Sequence, residues 1–318
     1  MYLSLRHQSF FDFEWLVIDD GSTDNTAELF AKWCDEDNNF SIRNYRQENW
    51  GLIRALNRGV ALAEGEYFVK IDSDDYVTND FAKNLETWLA QIEGREDVYG
   101  VSGLRVTPDG FPLSGKWPNF PNEEEIVEVT DLERAKYNLE ADMCEAWRTK
   151  VLREYPFPVW EEEKFAPEQI VFHEIALKGL KIRWYSVAMS VCEFQVGGLT
   201  LGASKLEAQN SMGYAMMYNH MLKHVKGLKL RMRTAMQHNA LSIVGNHMEY
   251  ILKSNDLLLS ILMLIPGWLL SFRRKNNINA FCEVNDESTL CGRLVPDEKY
   301  ICQYEPQRLR PGFAGKWL

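Results

Sequence analysis

An apolar run that ends in a cluster of carboxylates constrains the fold of this chain more than any other feature. Residues 67–71 read Tyr-Phe-Val-Lys-Ile, and Asp72, Asp74 and Asp75 follow within four positions. A short apolar run bounded in this way is typical of a buried β-strand. Carboxylates this close repel one another unless a cation lies among them. The pattern therefore predicts a metal site at the end of a strand.

Strand-like and helix-like segments alternate around this run. The predicted strands cover residues 14–18, 40–45 and 67–71, and the predicted helices cover residues 26–34 and 52–63. This alternation predicts an α/β fold with right-handed crossovers and a mostly parallel sheet covered by helices. Ligands of such sheets bind outside the carboxyl ends of the strands. Asp19 and Asp20 follow the first strand, so we expect them to face the same crevice as residues 72–75.

The rest of the chain continues this pattern and then becomes helical. We predict helices near residues 79–92 and 132–139 and from 167 onward, strands at 98–106, 144–148 and 181–194, and helices from 205 to about 252. Residues 257–270 are fourteen positions, almost all apolar, and Arg273, Arg274 and Lys275 follow. A membrane-spanning helix needs about 20 apolar residues, so this segment fits an interfacial helix or a buried helix pair better.

Charge and cysteine content exclude several classes of protein. The formal net charge is −11, which argues against general binding of nucleic acid because that needs a basic face. The six cysteines show no metal-ligand spacing, and residues 1–7 do not resemble a secretory signal, so we expect reduced thiols in the cytoplasm. The six histidines show no mutual spacing that indicates a metal site or a catalytic triad.

Several side chains are candidates for chemistry. Asp72 and Asp74 lie on the same side of an extended chain, where two carboxylates suit Mg²⁺ or Mn²⁺; the alternative is an acidic loop or helix cap. Asp19 and Asp20 could bind a ribose or a base edge, or could cap the next helix. Arg54 offers a bidentate fork to a diphosphate, or is a solvated helix residue.

Three acidic residues are candidates for a general base. They are Glu163, Glu168 and Asp142, and Glu168 lies at a predicted helix start, where it could point into a crevice. The alternative role of Glu168 is capping of that helix.

These segments together resemble the family-2 glycosyltransferases of the GT-A fold. The motifs that carry the resemblance are WLVIDDGSTDNT (15–26), ENWG (48–51), ALNRG (55–59), EGEY (64–67) and IDSDD (71–75). The resemblance is close over residues 3–110. A looser similarity to a branch that makes bacterial cell-surface polysaccharides continues through residues 163–168 to 197–200.

The resemblance implies an inverting transfer from a nucleotide-diphosphate sugar to a glycan or lipid-linked acceptor. A divalent metal, Mg²⁺ or Mn²⁺, would lie at Asp72 and Asp74, and Asp20 would meet the nucleoside. Glu168 would be the base, with Glu163 as the second candidate. The predicted substrate contacts are Asp19, Asp20, Arg54, Asp72, Asp75 and Arg148.

One departure from the family pattern leaves an alternative open. Residues 2–10 resemble only the end of the family's first helix, and the strand and nucleoside loop that precede it are absent from this sequence. A strand missing from a sheet leaves backbone groups unpaired. The alternative is a non-catalytic or truncated GT-A-like binding module.

The similarity also divides the chain into regions. We expect a GT-A domain over residues 1–204, with the donor half to about 110 and the acceptor half beyond it. We expect residues 205–275 to form a helical region that could associate with the cytoplasmic face of the inner membrane. Residues 276–318 are unassigned.

Overall fold

A computed structural model describes residues 1–121, 123, 125–140, 142–192 and 203–285. The predicted strand end at Phe194, the motif at residues 197–200 and the tail beyond 285 lie outside these ranges.

Within these ranges, eight strands form two sheets. The strands are β1 (Glu14–Asp19), β2 (Ser41–Arg46), β3 (Tyr67–Val69), β4 (Tyr76–Val77), β5 (Val98–Val106), β6 (Ile126–Val129), β7 (Met143–Arg148) and β8 (Lys181–Val191). β1 and β2 pair in parallel as a sheet of their own. The second sheet has the order β3-β7-β5-β8-β4, with β6 also paired to β8. In it, β5 and β8 run parallel and the other pairs are antiparallel.

The α/β class is confirmed, but the sheet is mixed. The alternation of the first three strands predicts that β3 joins β1 and β2, whereas β3 pairs with β7, and no strand in the described ranges pairs with both β1 and β3. The helix Leu52–Leu62 packs against one side of both sheets. Its Gly59 lies between Ile18 of β1 and Phe68 of β3. This contact keeps the end of β1 close to the middle of β3.

Eleven helices are described. They are α1 (Tyr2–Arg6), α2 (Thr26–Asp35), α3 (Leu52–Leu62), α4 (Phe81–Ala90), α5 (Thr149–Glu154), α6 (Gln169–Leu177), α7 (Ala203–Gln209), α8 (Ser211–Met221), α9 (Leu228–Val244), α10 (Leu257–Leu262) and α11 (Leu264–Asn285). Two 3₁₀ helices cover Asp131–Tyr137 and Met248–Lys253. The predicted long helix 228–252 ends early because Asn246 adopts a left-handed conformation, a common helix stop.

The second sheet has a core on each face. β5 is buried at eight of its nine positions, as expected for a central strand. One face packs against α3 and α6 through residues such as Ile53, Trp147 and Phe172, and the other packs against α1 and α4 through residues such as Leu5 and Trp88. The sheet is therefore a rigid platform for the loops at its ends.

The helical C-terminal region is confirmed, and it is amphipathic at α10 and α11. Leu259 and Met263 are buried against Leu222 and Ala235. The opposite face is exposed, so the predicted alternative of a buried helix pair holds for one face of these helices only. Among the described residues, no helix is both long and apolar enough to cross a membrane.

Candidate active site

Residues 72–75 form an acidic turn after β3, and an arginine of β5 contacts two of its carboxylates. Arg105 Nη2 donates to Asp72 Oδ2 over 2.9 Å and also contacts Asp75 Oδ2. Cys192 Sγ donates to the same Asp75 oxygen over 3.1 Å. Asp75 is 4% exposed, and burial raises the pKa of its carboxyl despite the Arg105 charge. Asp75, a predicted substrate contact, therefore anchors the turn.

Asp72 and Asp74 form the accessible part of this turn. The side chain of Asp72 is 36% exposed, and Asp74 is exposed and makes no hydrogen bond or ion pair with any residue in the described ranges. Burial opposes the ionisation of Asp72, but the charges of Lys70 and Arg105 outweigh it, and the pKa of Asp72 lies below its usual value. Two accessible carboxylates fit the hard oxygen ligands that Mg²⁺ or Mn²⁺ prefers.

Glu168 lies beside this turn. Lys70 Nζ is 2.8 Å from Glu168 Oε1 and 3.9 Å from Asp72 Oδ1. Glu168 directly precedes α6, yet its side chain makes no capping hydrogen bond to the helix. The nearby carboxylates raise the pKa of Lys70, although burial acts against them. Lys70 is therefore a permanent cation that joins the predicted metal motif to the predicted base.

Glu163, the second candidate base, has a different position. Its Oε1 accepts from the Met212 amide over 2.8 Å and its Oε2 from the Gly213 amide over 2.7 Å. These amides belong to the first turn of α8, where backbone N–H groups lack helical partners. Both oxygens of Glu163 therefore cap a helix. Burial raises the pKa of Glu163 in spite of these two bonds.

Asp20 organises a loop at the end of β1. Its Oδ1 accepts from Gln47 Nε2 over 2.7 Å and from the Trp50 amide over 3.0 Å, and its Oδ2 accepts from the Gly51 amide over 2.8 Å. Both oxygens of this predicted nucleoside contact are thus occupied by the loop that leads into α3.

Asp19 is the last residue of β1 and is 5% exposed. Its Oδ1 accepts from the Ser22 amide over 2.7 Å, and Arg46 lies 3.6 Å from its Oδ2. Burial opposes ionisation, but these partners hold the pKa of Asp19 below its usual value. Asp19 therefore shapes the turn that carries Asp20.

Arg54 binds backbone carbonyl groups of two loops. Its guanidinium donates to the carbonyl oxygens of Trp50, Trp160, Glu161 and Glu163, at 2.6 to 3.1 Å. A guanidinium has five N–H donors, so four bonds to carbonyls leave little for a diphosphate. Arg54 joins the start of α3 to the loop that precedes Glu168.

Two glycines allow the loops of the site to pack closely. Gly21 has φ +85° and lies against the backbone of Asn49, and Gly51 has φ +94° and lies against the Lys164 carbonyl. A Cβ at Gly51 would come within 2.2 Å of that oxygen. The end of β1, the loop before α3 and the loop that leads to Glu168 thus form one continuous wall beside the acidic turn.

Arg148 lies apart from the other predicted residues, whereas Asp142 lies near Lys70. Arg148 lies opposite Tyr67 at the start of β3, the end away from Asp72, where it pairs with Glu66 and stacks on the Tyr67 ring. Asp142 is exposed and close enough to Lys70 to raise the pKa of that amine.

Lys70, Arg105 and Glu145 were missed from the sequence. Glu145 is buried on β7, and burial raises its pKa to about 8 in spite of Arg134 nearby. Lys70 carried a signal, because it is the one charged residue within the apolar run 67–71. Arg105 and Glu145 similarly interrupt apolar strand segments, a pattern that indicates a buried partner.

The sequence of this chain matches a known family over its first part. The family model described as "Glycosyl transferase family 2" matches residues 1–144. Residues 1–144 belong to glycosyl transferase family 2.

Relatives of this family 2 domain include two polymer-related enzymes. The chondroitin synthase of Pasteurella multocida (strain Pm70) is 32% identical over 123 residues, which are 38% of this chain and 12% of that protein. The poly(ribitol-phosphate) beta-N-acetylglucosaminyltransferase TarS of Staphylococcus aureus (strain Mu50 / ATCC 700699) is 29% identical over 170 residues, which are 52% of this chain and 28% of TarS. The chain therefore spans less than a third of either relative.

The fold is shared with a solved structure. The crystal structure of S. aureus TarS 1-349 in complex with UDP-GlcNAc has a TM-score of 0.52 and 19% identity, and covers 83% of this chain and 74% of that one. The α/β fold of the family 2 domain is thus the GT-A fold of TarS.

Proposed function

We propose that this protein is a metal-dependent, inverting glycosyltransferase. It moves a sugar from a nucleotide-diphosphate sugar to a hydroxyl of a polysaccharide or a lipid-linked acceptor, in the synthesis of a cell-surface polymer. The observation that carries the proposal is the meeting of Lys70, Asp72 and Glu168 at one strand end. The bound UDP-GlcNAc of TarS supports a UDP-sugar as the donor.

In this proposal, Glu168 is the general base. Lys70 engages Oε1, which leaves Oε2 to accept the proton of the acceptor hydroxyl. The acceptor oxygen then attacks the anomeric carbon as the bond to the diphosphate breaks, which inverts the configuration in a single displacement. Proton transfer of this kind contributes about 10²–10⁴-fold to the rate.

Asp72 and Asp74 would hold Mg²⁺ or Mn²⁺. A divalent ion at that position supplies positive charge for the departing diphosphate. The residues to about 110 would carry the donor, and those from 111 to 204 the acceptor. Asp20 and Arg54 act in this proposal by holding the loops of the donor side in place rather than by direct contact.

A membrane-surface position is part of the proposal. Leu258, Leu262, Ile265 and Leu269 of α10 and α11 are each more than half exposed, and Arg273 and Lys275 are exposed at the basic end of this face. Apolar and basic residues arranged in this way favour an anionic lipid surface. The enzyme would then meet a lipid-linked acceptor at the cytoplasmic membrane face.

A second candidate function is a binding module without turnover. The observation that favours it is the saturation of Asp20 and Arg54 by the chain's own backbone, together with the separation of β1 from β3. Such a module would bind a nucleotide or glycan and release no product.

Release of nucleoside diphosphate tests both functions. The protein is incubated with a panel of UDP-sugars and other nucleotide sugars together with polysaccharide and lipid-linked acceptors, in the presence of Mn²⁺, Mg²⁺ or EDTA. We expect release with either metal and none with EDTA. Metal-dependent binding without release would favour the module, and neither binding nor release by folded protein would overturn both.

A further inference from the structure

Three histidines converge between the sheet domain and the C-terminal helices. His173 lies on α6, His220 on α8, and His224 three residues beyond the end of α8. One ring nitrogen of each lies within 4.8 Å of those of the other two. The ring centres are 4.8, 5.8 and 6.3 Å apart. This spacing leaves room for one small ion.

A carboxylate lies beside the Nε2 atom of two of these rings. His173 Nε2 lies 3.5 Å from Asp131 Oδ2, and His220 Nε2 lies 2.5 Å from Glu174 Oε2. A carboxylate accepts a hydrogen bond, so it favours the tautomer in which Nε2 carries the proton. In both rings the lone pair is then on Nδ1. Metal-binding histidines usually have this carboxylate arrangement.

One nitrogen of each ring has no partner among the described residues. His173 Nδ1, His220 Nδ1 and His224 Nε2 are buried and make no hydrogen bond with any residue in the described ranges. A buried polar atom without a partner costs about 1–3 kcal/mol. Three such atoms in one cluster indicate a binding site for a ligand.

Burial favours the neutral form of all three rings. Burial lowers the pKa of each histidine, and for His224 the neighbouring His173 and His220 lower it further, to about 4. Neutral imidazole is the form that binds a metal. The cluster therefore has its lone pairs available at physiological pH.

We propose that His173 Nδ1, His220 Nδ1 and His224 Nε2 bind a divalent transition metal of the zinc class. Water completes a four-coordinate site. Zn–N bonds of about 2.0–2.1 Å place ligand nitrogens roughly 3.3 Å apart, so the rings must approach by up to roughly 1.5 Å. Imidazoles select zinc, cobalt or nickel over Mg²⁺, unlike the carboxylates of the acidic turn.

The ion would join two parts of the molecule. Phe172 and Ile175 of α6 belong to the core of the sheet, and His220 belongs to the helical region. Zinc would therefore stabilise the packing of the helical region on the sheet domain. This role is independent of the glycosyltransferase proposal.

Cobalt titration tests the site. Metal-free full-length protein is titrated with Co²⁺ in excess Mg²⁺, which occupies carboxylate sites but competes poorly for imidazole. We expect visible d–d absorption of four-coordinate Co²⁺ that saturates at one equivalent. His224→Gln and His173→Gln should each weaken binding at least tenfold, and Glu174→Gln should weaken it about 10–100-fold. His7→Gln, an exposed histidine outside the cluster, is the matched control.

The unfolding temperature with and without zinc is a second readout, which separates loss of metal binding from misfolding of a variant. Zinc should raise the unfolding temperature of the wild type and of His7→Gln, and should leave that of His224→Gln unchanged. Equal Co²⁺ affinity in the wild type and both cluster variants would overturn the proposal. Absence of a one-equivalent site in the wild type would overturn it as well.

Discussion

The ammonium group of Lys70 lies 2.8 Å from the carboxylate of Glu168, although the two residues are 98 positions apart. The same ammonium lies 3.9 Å from Asp72. One cation thus joins the predicted metal motif to the predicted base, and the proposed chemistry depends on this arrangement.

Replacement of Glu168 separates the two candidate bases. Glu168→Gln removes the proton acceptor, so we expect kcat to fall about 10²–10⁴-fold. Binding of the donor nucleotide should persist, which titration of UDP in the presence of Mn²⁺ will check.

Glu163→Gln is the matched control for this change. Because Glu163 caps α8, its substitution should lower the free energy of unfolding by about 1–3 kcal/mol and leave kcat of the folded protein within a few fold. A reversed pattern, with activity lost in Glu163→Gln and kept in Glu168→Gln, would assign the base to Glu163.

Asp74→Asn should act on metal binding alone. Asp74 is exposed and has no partner in the described part of the chain, so its substitution should leave the unfolding temperature unchanged. We expect the Mn²⁺ concentration needed for half-maximal activity to rise at least tenfold. Unchanged metal dependence would remove Asp74 from the metal site.

Arg105 is predicted to stabilise the acidic turn. Arg105→Met leaves the Asp75 carboxylate buried without its cation, and the loss of one partner of a buried pair costs about 3–5 kcal/mol. Denaturant unfolding measures this change. Arg95→Met, which removes surface ion pairs, should have a much smaller effect, and equal effects would show that the Arg105 pair is not special.

Glu145 gives the folded protein a pH dependence. Burial raises its pKa to about 8 from a usual 4.5, so the folded state keeps a proton that the unfolded state loses. Its contribution to stability is fully present below pH 4.5 and is lost as pH rises through about 8. Wild-type stability should fall between about pH 4.5 and 8, by at most about 1.4 kcal/mol per pH unit from this group. Glu145→Gln should show a flatter profile, and an identical profile would contradict the raised pKa.

The apolar face of α10 and α11 should bind lipid. Leu258→Ser combined with Ile265→Ser should reduce cosedimentation with anionic vesicles several-fold, because both side chains are more than 70% exposed and their loss removes apolar area from the contact. Leu228→Ser on α9 is the control at a similarly exposed leucine. Equal sedimentation of the double variant and the wild type would exclude this face.

The local sequence pattern was sufficient to predict the positions of the strands and of the acidic motif. It was insufficient to predict which strands pair with each other. The apolar runs at 67–71 and 98–106 predicted β3 and β5, because burial on both faces leaves a continuous apolar pattern. Periodicity does not specify which strand pairs with which, so the antiparallel insertion of β7 between β3 and β5 was not predicted.

The roles of several side chains could not be predicted either, because they depend on contacts with residues distant in the sequence. Asp20 and Arg54 fit the pattern of ligand-binding residues, but their partners lie in loops far along the chain and occupy them. His220 lies at the end of α8 and His224 in the turn that follows it, and His173 joins them only through folding. The spacing of the histidines along the sequence did not indicate a metal site, because the proximity of these three rings depends on the fold.

Calorimetric titration of UDP into the protein, with and without Mn²⁺, tests the central claim most directly. The proposal predicts one site whose affinity rises at least tenfold with Mn²⁺, and loss of this increase in a variant that combines Asp72→Asn with Asp74→Asn. The same weak affinity, or none, in all three titrations of folded protein would contradict a metal-dependent nucleotide site at the end of β3.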